Sequence, residues 1–302
     1  MLNAPAQERH QTTFSIGKLI LQRVELGDVL LLLYIAAFVR QYFWLVTNTF
    51  AWIFTVLISV ILWYFLVVTK QTARKTPKHF WLIVALPLFL IYAMRVAFPD
   101  GSFDQLNYHL LSAERGLRGV PFTAADFFPA PFQFNPAPEM ATGISRYILG
   151  YRLGTIINYL AMLWAGSILY KLLSNYIDNE WFRCFGVLLI LLTEQPLFEI
   201  NNYMIDLLAV PLLLEATLVI LNTEKTVEKR DLVRVAFFLG ASVTFKLTNL
   251  ALVLPLLLVY AYKLIASRTK FKIKDVALVV IAFLGPLLPF SWFMYRQTGS
   301  PV

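Results

Sequence analysis

Long runs of apolar residues are the feature that most constrains this sequence. Roughly nine of them approach or reach the 17 to 25 residues with which a helix crosses the hydrocarbon core of a membrane. Since lipid offers the backbone no hydrogen bonds, such runs fold as helices. We therefore predict an all-α, polytopic integral membrane protein with about nine transmembrane helices, at residues 29–46, 50–69, 80–98, 153–172, 181–198, 204–221, 235–247, 250–265 and 276–295.

The composition excludes the main alternatives. Hydrophobic residues make up 59% of the 302 positions, charged residues 15%, and the mean hydropathy is +0.66, more apolar than a soluble domain of this size can bury. The 25 Phe, 14 Tyr and 7 Trp exclude intrinsic disorder. Cys184 is the single cysteine, so an internal disulfide and a thiolate metal cluster are both excluded.

The basic residues predict the orientation. Net charge is +8, and most of the 26 Lys and Arg residues fall in segments that follow every second apolar run, counting from a cytoplasmic N-terminus. This pattern explains the basicity without a nucleic-acid partner, which we do not expect. The first 27 residues lack the features of a signal peptide, so we expect the N-terminus to be retained.

Four regions follow from this topology. We predict a cytoplasmic segment at 1–28, three transmembrane helices at 29–98, an extracytoplasmic loop at 99–152, and about six transmembrane helices at 153–302 that end outside. The loop is the one extended hydrophilic excursion, so we seek the function there.

The loop is predicted to contain two interfacial helices. Ser102 and Gln105 have capping-box spacing and glycines follow at 116 and 119, which predicts a helix over 103–115 with Asp104 in its first turn. Tyr108 should lie one turn beyond Asp104 on the same face, and His109 on a different side. An aromatic and proline-rich stretch at 121–138 predicts an ordered loop in the headgroup zone.

The second helix should begin at Pro138, with Glu139 in its first turn, and run to about Gly150. For Glu139, as for Asp104, the simpler interpretation is that a first-turn acid complements the helix dipole.

Charged and polar residues at the rims of apolar runs are functional candidates because lipid tolerates them poorly. One group surrounds the predicted outer turn between the fifth and sixth spans: Glu194, Glu199, Asn201, Asn202 and Asp206. Lys246 lies at the predicted outward tip of a helical hairpin, and Arg296 follows the last span. Lys246 has an alternative interpretation as an interface anchor, and Arg40 and Arg95 are expected to snorkel at span ends.

No metal site and no cofactor are predicted. The three histidines, His10, His79 and His109, are scattered over both predicted sides of the membrane, although His109 alone could join carboxylates around a divalent ion. Phosphate-binding and hydrolase motifs are absent from the sequence.

The order of five short segments resembles the GT-C glycosyltransferases, the superfamily of protein O-mannosyltransferases and lipid A aminoarabinose transferases. The run FDQLNYHL at 103–110 resembles the first external loop of that superfamily, and NPAPEM at 135–140 its closing proline-glutamate segment. NYMID at 202–206, TFKLT at 244–248 and the segment 292–302 are similar to later family elements. The resemblance covers about residues 80–302, and family members continue beyond the last segment, so we expect this chain to be truncated.

The resemblance implies inverting transfer of a sugar from a polyprenyl-phosphate carrier to a lipid, glycan or protein acceptor on the extracytoplasmic side. Asp104 would be the catalytic base, and Lys246 and Arg296 would bind the donor phosphate. Four further residues would contact substrate: Tyr108, His109, Glu139 and Asp206. A bacterial inner membrane fits the resemblance and the missing signal peptide.

Two other functions remain open from the sequence. A transporter or flippase for a lipid-linked saccharide would use the same outer charges without breaking bonds, and internal pseudo-symmetry would favour it. A noncatalytic membrane subunit would be indicated by co-purification with a larger transferase.

Overall fold

The computed structural model describes residues 24–43, 46, 48–68, 76–98, 102–126, 133–222, 228–266 and 272–301. Three predicted features lie wholly or largely outside these residues: the N-terminal segment up to residue 23, the inner-loop cations Lys70, Arg74 and Lys75, and the phenylalanine-rich residues 127–132.

All regular structure in the described part of the chain is helical. In chain order the helices are α1 (Leu26–Tyr42), α2 (Thr49–Val68), α3 (Lys78–Arg95), α4 (Gln105–His109 continued by Leu110–Arg118), α5 (Ala137–Leu153), α6 (Ile156–Leu173), α7 (Glu180–Leu191), α8 (Glu194–Glu199), α9 (Asp206–Asn222), α10 (Lys229–Phe245), α11 (Leu250–Ala266), α12 (Ile273–Leu284) and α13 (Leu288–Thr298).

Among the described residues, four helical segments are long and apolar enough to cross a membrane: Thr49–Val67, Lys78–Arg95, Ile156–Leu173 and Leu247–Ala266. The bent pair α12 and α13 would make a fifth if it is one span. Three more apolar helices, α1, α9 and α10, have 17 residues each, or about 25 Å at 1.5 Å per residue. Length and composition thus agree with an integral membrane protein.

Two predicted spans are broken by proline, and the prediction of one continuous helix is wrong for each. The run 181–198 divides into α7 and α8, with Pro196 in the first turn of α8, where its missing N–H removes no helical hydrogen bond. The run 276–295 divides into α12 and α13 with a bend of 66° around Gly285 and Pro286.

The first loop helix differs from its predicted bounds, and the second is interrupted near its predicted end. The first continues through Gly116 and ends at Gly119, which has a φ of 74°. Residues Gln105–His109 are π-helical, so the hydrogen bonds span five residues and not four. The second helix, α5, is interrupted at Gly150, its predicted end, where φ is 81° and ψ is 174°, and a short helical stretch follows to Leu153.

The core is formed by helices that also carry the candidate residues. Helix α9 packs against α6 and α10, and α4 packs against α5, which in turn contacts α1. The predicted break near Lys246 is present: α10 ends at Phe245, a 3₁₀ turn spans Leu247–Asn249, and α11 begins at Leu250. These contacts bring α4, the start of α5, the start of α9 and Lys246 to one end of the bundle, called the loop end below.

Candidate functional site

Tyr108 lies where acids from three separate segments meet. Burial raises the pKa of Tyr108 to about 12, and the charges of Asp104, Glu139 and Asp206 add to this rise. The three carboxylates come from the start of α4, the first turn of α5 and the first turn of α9. Charges act strongly on a phenol only at short range, so the structure brings these four predicted residues together.

Of the three acids, Asp104 makes the fewest hydrogen bonds and ion pairs with the described residues. It is partly buried just before the π-helical turn, and its carboxylate makes no hydrogen bond or ion pair with any residue that the structure describes. The rings of Tyr108 and His109 lie 4.2 Å apart, with Tyr108 partly buried and His109 buried.

His109 and Glu139 form a buried pair. The Nδ1 atom of His109 lies 3.0 Å from Oε1 of Glu139, and their side chains are 3% and 1% exposed. The second carboxylate oxygen of Glu139, Oε2, is buried and has no partner within the described part of the chain. Glu139 is therefore more than a first-turn acid that complements the helix dipole, because its carboxylate joins α5 to α4.

Lys246 and Asp206 form an ion pair that joins the hairpin tip to the start of α9. Both side chains are about one third exposed, so the pair faces the surroundings of the loop end. Nearby, Glu199 is fully buried, and burial followed by the charge of Asp206 raises the pKa of the Glu199 carboxyl, against the opposing charge of Lys246. Glu199 accepts a hydrogen bond from the backbone of Leu207 at 2.8 Å.

The turn that holds Asp206 is stabilised by side chains that sequence reasoning did not assign to it. Asn158, buried on α6, donates to the carbonyls of Glu199, Asn202 and Met204 at 2.9 to 3.0 Å. Gln105 accepts from the backbone N–H of Tyr203 at 2.9 Å. The sequence does place Asn158 inside an apolar run, and a polar residue in such a run could have marked it as a candidate.

Arg40 does not snorkel as expected, whereas Arg95 is partly buried at the end of α3. The side chain of Arg40 is fully buried, donates to the carbonyl of Phe43, and lies 4.7 Å from the centre of the Trp52 ring. Arg95 donates to the carbonyl of Leu197. Each guanidinium is thus directed to backbone carbonyls at a helix end.

Arg296 is not brought to the cluster by any recorded contact. It is exposed on α13 and makes no hydrogen bond or ion pair with the described residues. The neighbouring Met294 does pack against Phe122 of the loop.

Chemically, the loop end offers a free carboxylate, a buried histidine-carboxylate pair and an accessible ammonium group. Together these groups can accept a proton, form hydrogen bonds with hydroxyl groups and bind an anion. Within the described ranges, no group of three or more His, Cys, Asp and Glu side chains is arranged to hold a metal ion. Comparisons with protein-family models, with characterised proteins and with solved structures find no match to this chain.

Proposed function

We propose that this chain is a membrane glycosyltransferase that moves a sugar from a polyprenyl-phosphate carrier to an acceptor at the loop end. The observation that carries the proposal is the convergence of Asp104, Glu139 and Asp206 on Tyr108, with Lys246 paired to Asp206. Transfer needs a proton acceptor beside a cation at the water-lipid boundary, and this cluster supplies both.

The membrane arrangement belongs to the same proposal. About nine helices cross the membrane, the N-terminus is cytoplasmic, and the loop end faces the outside of a bacterial inner membrane. The sequence order of basic segments supports this orientation. The three 17-residue helices supply spans beyond the four or five longest apolar helices.

Asp104 is the base in this mechanism. An acceptor hydroxyl gives its proton to the Asp104 carboxylate as its oxygen attacks the anomeric carbon. The bond from that carbon to the phosphate oxygen breaks, and the polyprenyl phosphate leaves with the electron pair, so the anomeric configuration inverts. Asp104 suits the role because its carboxylate has no hydrogen-bond or ion-pair partner among the described residues.

Lys246 stabilises the charge that develops on the leaving phosphate. Its ammonium group already holds Asp206, so a phosphate would share this cation with the carboxylate. Arg296 supports the same phosphate in the proposal. Tyr108, His109, Glu139 and Asp206 orient sugar hydroxyls, and the unpartnered Oε2 of Glu139 is the acceptor ready for one.

The test is the substitution Asp104→Asn in the full chain, in membranes supplied with a polyprenyl-phosphate-linked sugar. We expect transfer to fall by about 10² to 10⁴, the usual contribution of a general base, with unchanged expression and donor binding. The matched control is Glu194→Gln, which removes one negative charge from an exposed position before Pro196. Wild-type transfer by the Asp104→Asn variant would remove Asp104 from the reaction.

A further inference from the structure

Gln105 joins the helical turn that carries Asp104 to the segment that leads into Asp206. It follows Asp104 directly at the start of α4, and its side chain is buried. Its Oε1 atom accepts a hydrogen bond from the backbone N–H of Tyr203 at 2.9 Å. Tyr203 precedes Asp206 by three residues in the chain. This one hydrogen bond therefore connects the segment of the proposed base to the segment of the ion pair between Asp206 and Lys246.

The amide of Gln105 is also held by α5. Its Nε2 donates to the hydroxyl of Tyr151 at 3.1 Å, and the hydroxyl of Tyr203 donates to the backbone carbonyl of Tyr151. The two tyrosine rings pack with their centres 5.7 Å apart. Because a backbone N–H can only donate, the amide oxygen of Gln105 is the atom that faces Tyr203. These contacts among three segments determine how the amide is oriented.

The turn that receives this hydrogen bond has anchors of its own. Asn158 on α6 donates to backbone carbonyls on both sides of Tyr203, those of Glu199, Asn202 and Met204. Tyr203 itself is buried. The position of the turn against α6 therefore does not depend on α4 alone.

The first turn of α4 is less firmly held. Phe103 and Leu106 are exposed, and Asn107 donates to the carbonyl of Phe103 within the same helix at 2.7 Å. Within residues 103–108 only Gln105 is buried, and its hydrogen bonds run to two other segments. Loss of its amide would therefore displace the start of α4, with Asp104, away from the anchored turn.

We infer that Gln105 is a positioning residue for the proposed transfer. It fixes the spacing between Asp104, which takes the proton, and Lys246, which stabilises the leaving phosphate. The catalytic consequence rests on the proposed function, whereas the spacing itself does not. A displacement of about 1 Å in a reacting group can cost about 10² in rate, so one buried amide can control turnover without touching the substrate.

The test compares Gln105→Met with Gln41→Met in the full chain. Methionine keeps the unbranched shape of glutamine and removes the amide. Gln41 is the matched control because it is equally buried and its Nε2 donates to Oδ1 of Asn135. That hydrogen bond joins α1 to the residues before α5, and to neither of the two segments joined by Gln105. Both variants lose hydrogen bonds at a buried position, so similar losses of stability are expected.

We expect Gln105→Met to lower kcat of sugar transfer by about 10 to 10², with KM for the lipid-linked donor changed by no more than about twofold. Gln41→Met should keep the wild-type kcat for each folded molecule. Tyr151→Phe removes only the hydroxyl that accepts from Gln105, so it should lower kcat in the same direction and by less. This milder variant keeps the test open if Gln105→Met does not fold.

Hydrogen exchange of the purified protein gives a readout that does not need transfer. In Gln105→Met the N–H of Tyr203 has lost its acceptor, so this amide should exchange about tenfold faster or more. It should exchange at the wild-type rate in Gln41→Met. Unchanged exchange at Tyr203 in Gln105→Met would overturn the inference, as would a kcat equal in the two methionine variants.

Failure of the proposed function has a different signature. If the wild type and Asp104→Asn both transfer no sugar, the transfer proposal fails. The exchange measurement then decides alone whether Gln105 holds the two segments together. Faster exchange at Tyr203 in Gln105→Met supports the spacing role, and the wild-type rate overturns it.

Discussion

At the scale of single residues, His109 and Glu139 depend on each other more than any exposed charged residue at the loop end depends on its partner. Both side chains are almost fully buried, and one oxygen of Glu139 already has no hydrogen-bond partner among the described residues. Removal of the imidazole would leave the whole carboxylate buried without its one side-chain contact. A buried polar group that loses its hydrogen bond destabilises a fold by about 1–3 kcal/mol.

We therefore expect His109→Ala to lower the free energy of unfolding by about 1–3 kcal/mol. The double variant His109→Ala/Glu139→Ala should lose less than the sum of its single variants, because no orphaned carboxylate remains. Thermal unfolding of the purified protein in detergent measures this coupling. Strictly additive losses would mean that the 3.0 Å contact contributes nothing to stability.

At the scale of helices, a glycine allows two helices of the bundle, α10 and α12, to pack closely against each other. Helix α12 crosses α10 at Gly240, where an added Cβ would overlap the backbone carbonyl of Phe283. A backbone atom cannot rotate away as a side chain can, so the two helices would have to separate. By contrast, a Cβ at Gly186 in α7 would meet only Leu173 Cδ1 at 3.5 Å, an ordinary contact.

The substitution Gly240→Ala should destabilise the protein by about 1–3 kcal/mol through overpacking. Its matched control Gly186→Ala should be neutral or stabilising by up to about 1 kcal/mol, because alanine favours helices over glycine. Melting temperatures of both variants under one detergent condition are compared. A Gly240→Ala variant as stable as the control would contradict the close approach of α10 and α12.

Helix boundaries also show where prediction from local sequence patterns fails. The apolar runs predicted at 181–198 and 276–295 extend across residues 192–193 and 285–287, so the sequence predicts one span at each place. The structure breaks both near a proline, because that residue lacks the N–H needed to continue the preceding helix. Hydropathy averages over a window, whereas a helix ends at a single backbone group.

At the scale of the whole molecule, the proposed orientation places the α4–α5 region outside and the α6–α7 junction inside. Single cysteines can report this in intact cells once the buried Cys184 is replaced by alanine. Ala125 and Asn175 are exposed and lie in these two regions.

A membrane-impermeant maleimide should label Ala125→Cys in intact cells and label Asn175→Cys only after the membrane is opened. The expected difference follows from the distribution of basic residues. Labelling of both positions from one side would reject the orientation and the span count between them. Labelling of Cys184 in the parent chain serves as the background measurement, since that thiol is buried.

The all-helical class and the membrane character followed from the sequence by itself, because apolar run length is a local property and lipid leaves a long apolar segment few other folds. The first-turn position of Glu139 followed from a proline signal in the same way. Which acids share one environment was decided only by the tertiary structure. The charge of Asp206 acts on Tyr108 across 98 positions of chain, and that proximity depends on how α4, α5 and α9 pack, which no local pattern encodes.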